Sequence, residues 1–416
     1  MTTPLLIVFA AYVVTEGFGY YLEYLNIRHL MANGTLVPEE FKGSVDGELL
    51  KKTSEYQIDN TRFGVVASIF DNVVAAVFIF GGFLSLYNSW ILSFKISFVY
   101  TGLVFFLLLN YGQTILSMPF SLYRTFKIEK KYGFNTTTLR VWITDTVKSM
   151  ALSTILMGAL FAAGLYLIER SPDFWWLWVW GVFFAFTIIL MYVSPYIIEP
   201  LFNKFTPIDD EAIVLQMQEM MGRVGITVKS IFKMDASRRS THTNAYFTGI
   251  GRVKRIILYD TLLEKLDTDE LLGIVAHEAG HWRKRHLLKL IAAYEIVTLI
   301  VLYVFFIVLK TDIVLRVFNI GEDSFFVKVL LLSFIAGIVA FPLRPLSNAI
   351  SRRHEREADR FAVELTGRPD NMITALVKLS KDNLSNLHPH PLYVLFHYSH
   401  PPAVERIKYL KESATL

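Results

Sequence analysis

Ile274-Val275-Ala276-His277-Glu278-Ala279-Gly280-His281-Trp282 decides how this chain is read. On a helix, the pattern His-Glu-x-x-His sets His277 and His281 one turn apart on one face, so both imidazoles reach a single cation. Zinc is the usual occupant of that pattern. Glu278 points about 100° further round the helix, so it is not a ligand but stands where it can take a proton from a zinc-bound water. A solvated helix with two histidines by chance would show the same five residues, so the rest of the chain must decide.

Of the 416 residues 53% are hydrophobic and only 19% charged, with a mean hydropathy of +0.41. A soluble protein of this length carries about a quarter charged residues, so the composition describes a mainly α, polytopic membrane protein with a soluble part. A net charge of +4, with no basic stripe interleaved with aromatics, excludes nucleic acid as the expected partner. The absence of cysteine excludes disulfides, a thiolate nucleophile and a Cys-ligated metal. No Lys or Arg precedes Arg28, so the first apolar segment is expected to remain in the lipid bilayer rather than act as a cleaved signal.

Seven stretches have the length a bilayer requires, at about 4–26, 64–88, 91–120, 149–168, 174–197, 287–309 and 326–347. Ionisable side chains at that depth are costly and normally face other helices or a water-filled space. Glu16, Asp71 and Glu295 are expected to face inward, whereas Glu23, Lys95, Lys328 and Arg344 are expected to snorkel from span ends. Lys and Arg crowd the loops after the first and third spans, and the loop after the second has none. By the positive-inside rule those loops, the region between the fifth and sixth spans and the C-terminal tail lie in the cytoplasm, with the N-terminus outside. The run Phe174-Trp175-Trp176-Leu177-Trp178-Val179-Trp180 suits an interfacial belt on the outer side, or plain lipid-facing bulk.

The expected division is 1–197 for five spans, 198–286 for a cytoplasmic-side protease region, 287–347 for two further spans, and 348–416 for a closing region. Within 198–286 the pattern predicts a helix from Asp209 through about Val224, then β-structure at Ile226–Val228, Ile231–Met234 and Arg255–Tyr259. Asp267 and Glu270 form a capping box for the His277 helix, which is expected to run on through His286 towards the sixth span. A catalytic zinc needs a third protein ligand. The best candidate region is Ser351 to Ala362, where Glu355 and Asp359 would sit along an apolar stripe with Ala358, Ala362 and Leu365, while Glu357 aligns with Arg360 and Glu364. Zinc would offset the desolvation of Glu355, and Asp359 could accept the second N–H of a ligating histidine. An ordinary charged helix with i, i+4 pairs is the alternative. His354 and His286 are weaker ligand candidates, expected at the surface, as are His388 and His390 between prolines. His400 and Arg406 are candidates to donate to the oxyanion of a tetrahedral intermediate.

Taken together, these residues resemble the type I CAAX prenyl proteases, which are membrane-embedded zinc metallopeptidases. The likeness rests on Glu129 to Asn135, Pro200 to Phe205, Ser237 to Ser240, Asn244 to Gly249, His277 to His281, Ser351 to Asp359 and Tyr398 to Arg406, in that order and spacing. It implies one zinc held by His277, His281 and Glu355, with Glu278 activating water. It implies seven helices forming a barrel around a hydrated chamber, joined to a small α+β, gluzincin-like metalloprotease domain. It also implies that Asn244, Ala245, Tyr246 and Phe247 pair with an extended substrate as an added strand. The expected activity is removal of the C-terminal aaX tripeptide from prenylated CAAX proteins, by a monomer. Its location would be the endoplasmic reticulum membrane in a eukaryote or the cytoplasmic membrane in a bacterium. Glu357 stands where a neutral residue is expected in eukaryotic members. The rival readings are a broad quality-control protease of membrane proteins and, in another class, a transporter using its intramembrane carboxylates.

Overall fold

The computed structural model describes residues 2–248 and 253–414, so Gly249 lies outside the described residues. Among the described residues, seven helical stretches are long and apolar enough to cross a membrane: Thr3–Asn33, Gly47–Phe80, Phe98–Tyr132, Leu139–Arg170, Trp175–Phe202, His286–Leu309 and Phe325–Thr366. Most outrun the apolar stretch that reveals them, because polar turns continue the rod beyond the lipid. The seventh, at 42 residues, runs as a helix Phe325–Ala340, a 3-10 turn Phe341–Leu343 and a helix Arg344–Thr366, so consecutive helical segments lead from membrane wall to Glu355. The second span ends earlier than expected. Gly82, in the left-handed region at φ 85°, turns the chain into a ten-residue helix, Phe83–Leu92, and Lys95 falls in the following loop rather than in the third span. The third and fifth spans each carry a π-helical turn, Arg124–Glu129 and Ser194–Ile198, near the end that meets the soluble part.

In the most apolar windows of the second and fifth spans no residue is buried, and in no span does the buried share exceed 28%. A close-packed bundle would bury one stripe of each helix. These helices instead wall a hollow. A cavity of about 750 Å³ opens in it, bounded by polar side chains including Asn110, Thr114, Arg124, Thr146, Ser149 and Ser153. The expected inward carboxylates find partners or cover: Glu16 accepts from Asn72 Nδ2 at 2.7 Å, Asp71 from Gln113 Nε2 at 3.3 Å, and Glu295 is buried. Two residues expected to snorkel do not. Lys328 is buried and paired with Asp312 at 2.9 Å and Asp323 at 2.7 Å, and Glu23 accepts from Tyr393 Oη at 3.3 Å. Lys328 thus meets acids of the segment that precedes its own helix, and Glu23 a hydroxyl of the distant helix Pro391–His397.

The soluble part is built on a four-stranded sheet with β1 Phe205–Pro207, β2 Thr227–Met234, β3 Ala245–Thr248 and β4 Val253–Tyr259, in the order β1-β2-β4-β3. β2 and β4 run parallel, and an irregularity between Val228 and Ser230 explains why one strand reads as two in sequence. The helix Glu211–Arg223, capped by Asp210, contributes Met217, Met220 and Met221 to a core with Ile256, Leu258, Val275, Ala276 and Ala279. The His277 helix, Thr268–Arg283, begins at the expected capping box: Asp267 Oδ1 accepts from Glu270 N, and Glu270 Oε2 from Asp267 N. It does not continue into the sixth span. Arg285 adopts a left-handed backbone, φ 56°, and breaks the rod in two.

Candidate metal centre

Two helices make the centre. Gly280 lets them cross closely: a Cβ there would lie 2.9 Å from the Cα of Ala358 and 3.2 Å from the Cβ of Phe361. That crossing sets Glu355 against the paired histidines. His277 Nε2 lies 3.2 Å from His281 Nε2 and 3.4 Å from Glu355 Oε2, and His281 Nε2 lies 3.2 Å from Glu355 Oε1. Ligand atoms about 2.0–2.1 Å from one tetrahedral ion stand roughly 3.4 Å apart, so the spacing fits a divalent metal. Among the described residues, these three form the group able to hold one. Two further observations agree with it. Glu355 Oε2 is buried without a hydrogen-bond partner. Burial and the Arg406 guanidinium disfavour a cationic His277, yet Asp359 and Glu355 raise its pKa to about 9, so the pocket favours positive charge.

Asp359 is fully buried, with Oδ1 2.8 Å from His277 Nδ1. Arg406 locks Asp359 by a two-pronged contact, Nε to Oδ2 at 2.9 Å and Nη2 to Oδ1 at 2.6 Å. His400 reaches the same centre, its Nε2 3.3 Å from Glu355 Oε1. Glu278, His400 and Arg406 line a cavity of about 420 Å³ with the metal-ligand group, Thr243, Asn244 and Ala245. Burial pushes the Glu278 carboxyl above its ordinary range, against the pull of the neighbouring imidazoles. Among the described residues β3 is the edge of the sheet, paired on one side only with β4, and its start faces that cavity. Tyr246 points away from the side of Ala245 and Phe247, and its hydroxyl donates to Glu199 Oε2 at 2.7 Å.

Several contacts escape the sequence. His286 is not at the surface but 2% exposed, stacked on His354 at 4.1 Å. Arg352 donates from within to Val394 O and Tyr398 O, pinning the segment that ends in His400. Arg239 joins the soluble part to the fourth span through Asp145, at 2.8 and 3.2 Å. His242 lies between Glu129 and Asn383 and stacks on Phe134 at 4.0 Å. His388 Nε2 donates to Leu36 O, tying the tail to the loop after the first span, and His390 Nδ1 accepts from Leu392 N, capping the helix Pro391–His397.

Comparison with known proteins gives one answer along the whole chain. The model of the CAAX prenyl protease N-terminal region, five membrane helices, matches residues 26–204, and that of peptidase family M48 matches residues 207–414. CAAX prenyl protease 1 of Saccharomyces cerevisiae is 33% identical, covering 94% of this chain and 91% of that protein. The CAAX prenyl protease 1 homolog of Homo sapiens is 27% identical over 92% and 90%. The uncharacterized metalloprotease YhfN of Bacillus subtilis is 29% identical over 97% and 95%. The crystal structure of S. mikatae Ste24p superposes with a TM-score of 0.91 at 30% identity, covering 99% of each chain.

Proposed function

This chain belongs to peptidase family M48 as a membrane-embedded metalloendopeptidase, and we propose that it uses zinc to remove the aaX tripeptide from prenylated CAAX sequences. The observation that carries the proposal is the convergence of His277, His281 and Glu355 at the head of an unpartnered edge strand. When bound, zinc polarises the scissile carbonyl and lowers the pKa of water in its shell from about 15.7 towards ~7. Glu278, kept away from bulk water and raised in basicity by burial, accepts the proton of the attacking water and returns it to the leaving amine. The open edge of β3, from Asn244 to Phe247, holds the substrate extended through main-chain hydrogen bonds. His400 donates from Nε2 to the developing oxyanion. Arg406, occupied with Asp359, fixes His277 and places positive charge behind it. The basic loops after the first and third spans support a cytoplasmic location for this side.

Mass spectrometry of products from a farnesylated CAAX peptide and its unmodified twin tests the proposal. Release of aaX from the farnesylated peptide alone, abolished in Glu278→Gln, is expected. Equal cutting of both peptides, at scattered bonds, would instead identify a broad quality-control protease.

A further inference from the structure

The two ligating histidines are held differently. His277 meets a carboxylate directly, through Asp359. His281 Nδ1 instead meets another imidazole, His286 Nδ1, at 3.1 Å, and among the described residues the carboxylate beside His281, Glu355, lies at its Nε2. His286 Nε2 in turn lies 3.1 Å from Glu357 Oε2, and Glu357 Oε1 accepts from Arg353 Nε at 3.1 Å. We infer that Glu357 and His286 are positioning residues that hold His281 in its metal-binding tautomer, an inference that rests on reading His277, His281 and Glu355 as the ligands.

The polarity of the chain of contacts follows from its far end. An ionised carboxylate only accepts, so the hydrogen between His286 and Glu357 sits on His286 Nε2. A neutral His286 then offers a lone pair at Nδ1, which accepts from His281 Nδ1–H. That leaves the lone pair of His281 on Nε2, the atom 3.2 Å from Glu355 Oε1. Turn the first bond round and His281 would carry its hydrogen where the metal must sit. Metal-ligating histidines generally need such an outer acceptor to fix tautomer and ring orientation.

The backbone is shaped for this contact. On an unbroken helix, residues five apart point about 140° away from each other, so His281 and His286 would not meet. The left-handed Arg285, costly for a residue with a Cβ, folds His286 back, and the stacked His354 holds its ring. The ring is nearly enclosed, leaving Glu357, on the polar side of its own helix, as the end of the relay in contact with solvent.

The test compares zinc affinity, by chelator competition on the full chain in detergent, for wild type, Glu357→Gln, Glu357→Leu and His286→Phe. Glu357→Leu and His286→Phe are expected to bind zinc about 10–100-fold more weakly. Glu357→Gln, whose amide oxygen still accepts from His286 Nε2–H, is expected to restore most of it. The visible bands of the Co2+-loaded protein should change in Glu357→Leu and be recovered in Glu357→Gln, which loss of Arg353 pairing alone would not produce. Wild-type affinity and wild-type bands in Glu357→Leu would overturn the relay, as would equal damage from Leu and Gln. Should His286→Phe fail to fold, the Glu357 pair still decides. A wild-type chain that binds neither zinc nor Co2+ would overturn the metal reading itself.

Discussion

Two glycines, one in each half of the molecule, show how differently the halves are specified. Gly280 presses against the backbone of Ala358, and a single added carbon would meet it at 2.9 Å. Gly112, in the third span, has no heavy atom from outside its own helical turn within 4 Å of the place its Cβ would occupy, among the described residues. The protease half is therefore fixed by contact, atom against atom, because its ligand set exists only at one separation of two helices. The membrane half encloses space. Around it the helices meet in an apolar cluster that includes Phe105, Leu165 and Phe326, where Gly102 packs tightly, and in polar cross-links such as Tyr12 and Glu16 to Asn72.

That contrast orders the consequences of substitution. Glu278→Gln should lower peptide hydrolysis by about 10²–10⁴-fold while zinc content and melting temperature stay as in wild type, which steady-state assays with elemental analysis would check. Gly280→Ala should overpack the helix crossing, costing about 1–3 kcal/mol and loosening the metal, read by thermal melting and chelator competition. If it proves harmless, the protease half is more compliant than its geometry implies. Arg239→Ala tests the join between halves: losing the Asp145 pair should cost about 1–3 kcal/mol in denaturation of the whole chain. Smaller still is a pH effect at His242. Burial draws its pKa down, but hydrogen bonds to Glu129 and Asn383 raise it above the ordinary value. A raised folded pKa gives stability that is complete below about 6.5 and lost as pH rises through the folded value. The melting temperature should thus fall across that rise, and Glu129→Gln should flatten the profile. Gly112→Ala should change stability by no more than about 0.5 kcal/mol, and a large loss there would show that the wall is packed after all.

The legible parts of this structure are those that local spacing determines. His277 with His281, the Asp267–Glu270 box, and Glu355 with Asp359 each lie within one or two turns, so helical period alone brings them together. The apolar runs likewise reveal seven spans. What stayed hidden depends on the backbone leaving its pattern or on residues far apart in the chain. Nothing in Arg283-Lys284-Arg285-His286 announces the left-handed break that buries His286. Asp145 and Arg239, or Glu129 and His242, are nearly a hundred residues or more apart, and only the folded chain pairs them. Lys328 looked like a snorkelling end because the acids that hold it lie in a loop whose path the sequence leaves open.

The free margin of β3 carries a selection rule of its own. A chain that docks there must surrender its internal amide pairing and lie flat for several residues. Helices and sheets already satisfied within themselves gain nothing by doing so, whereas a loose tail loses only its hydration. The enzyme would therefore sort its clients by softness before it reads any side chain, sparing the folded bodies to which such tails are attached.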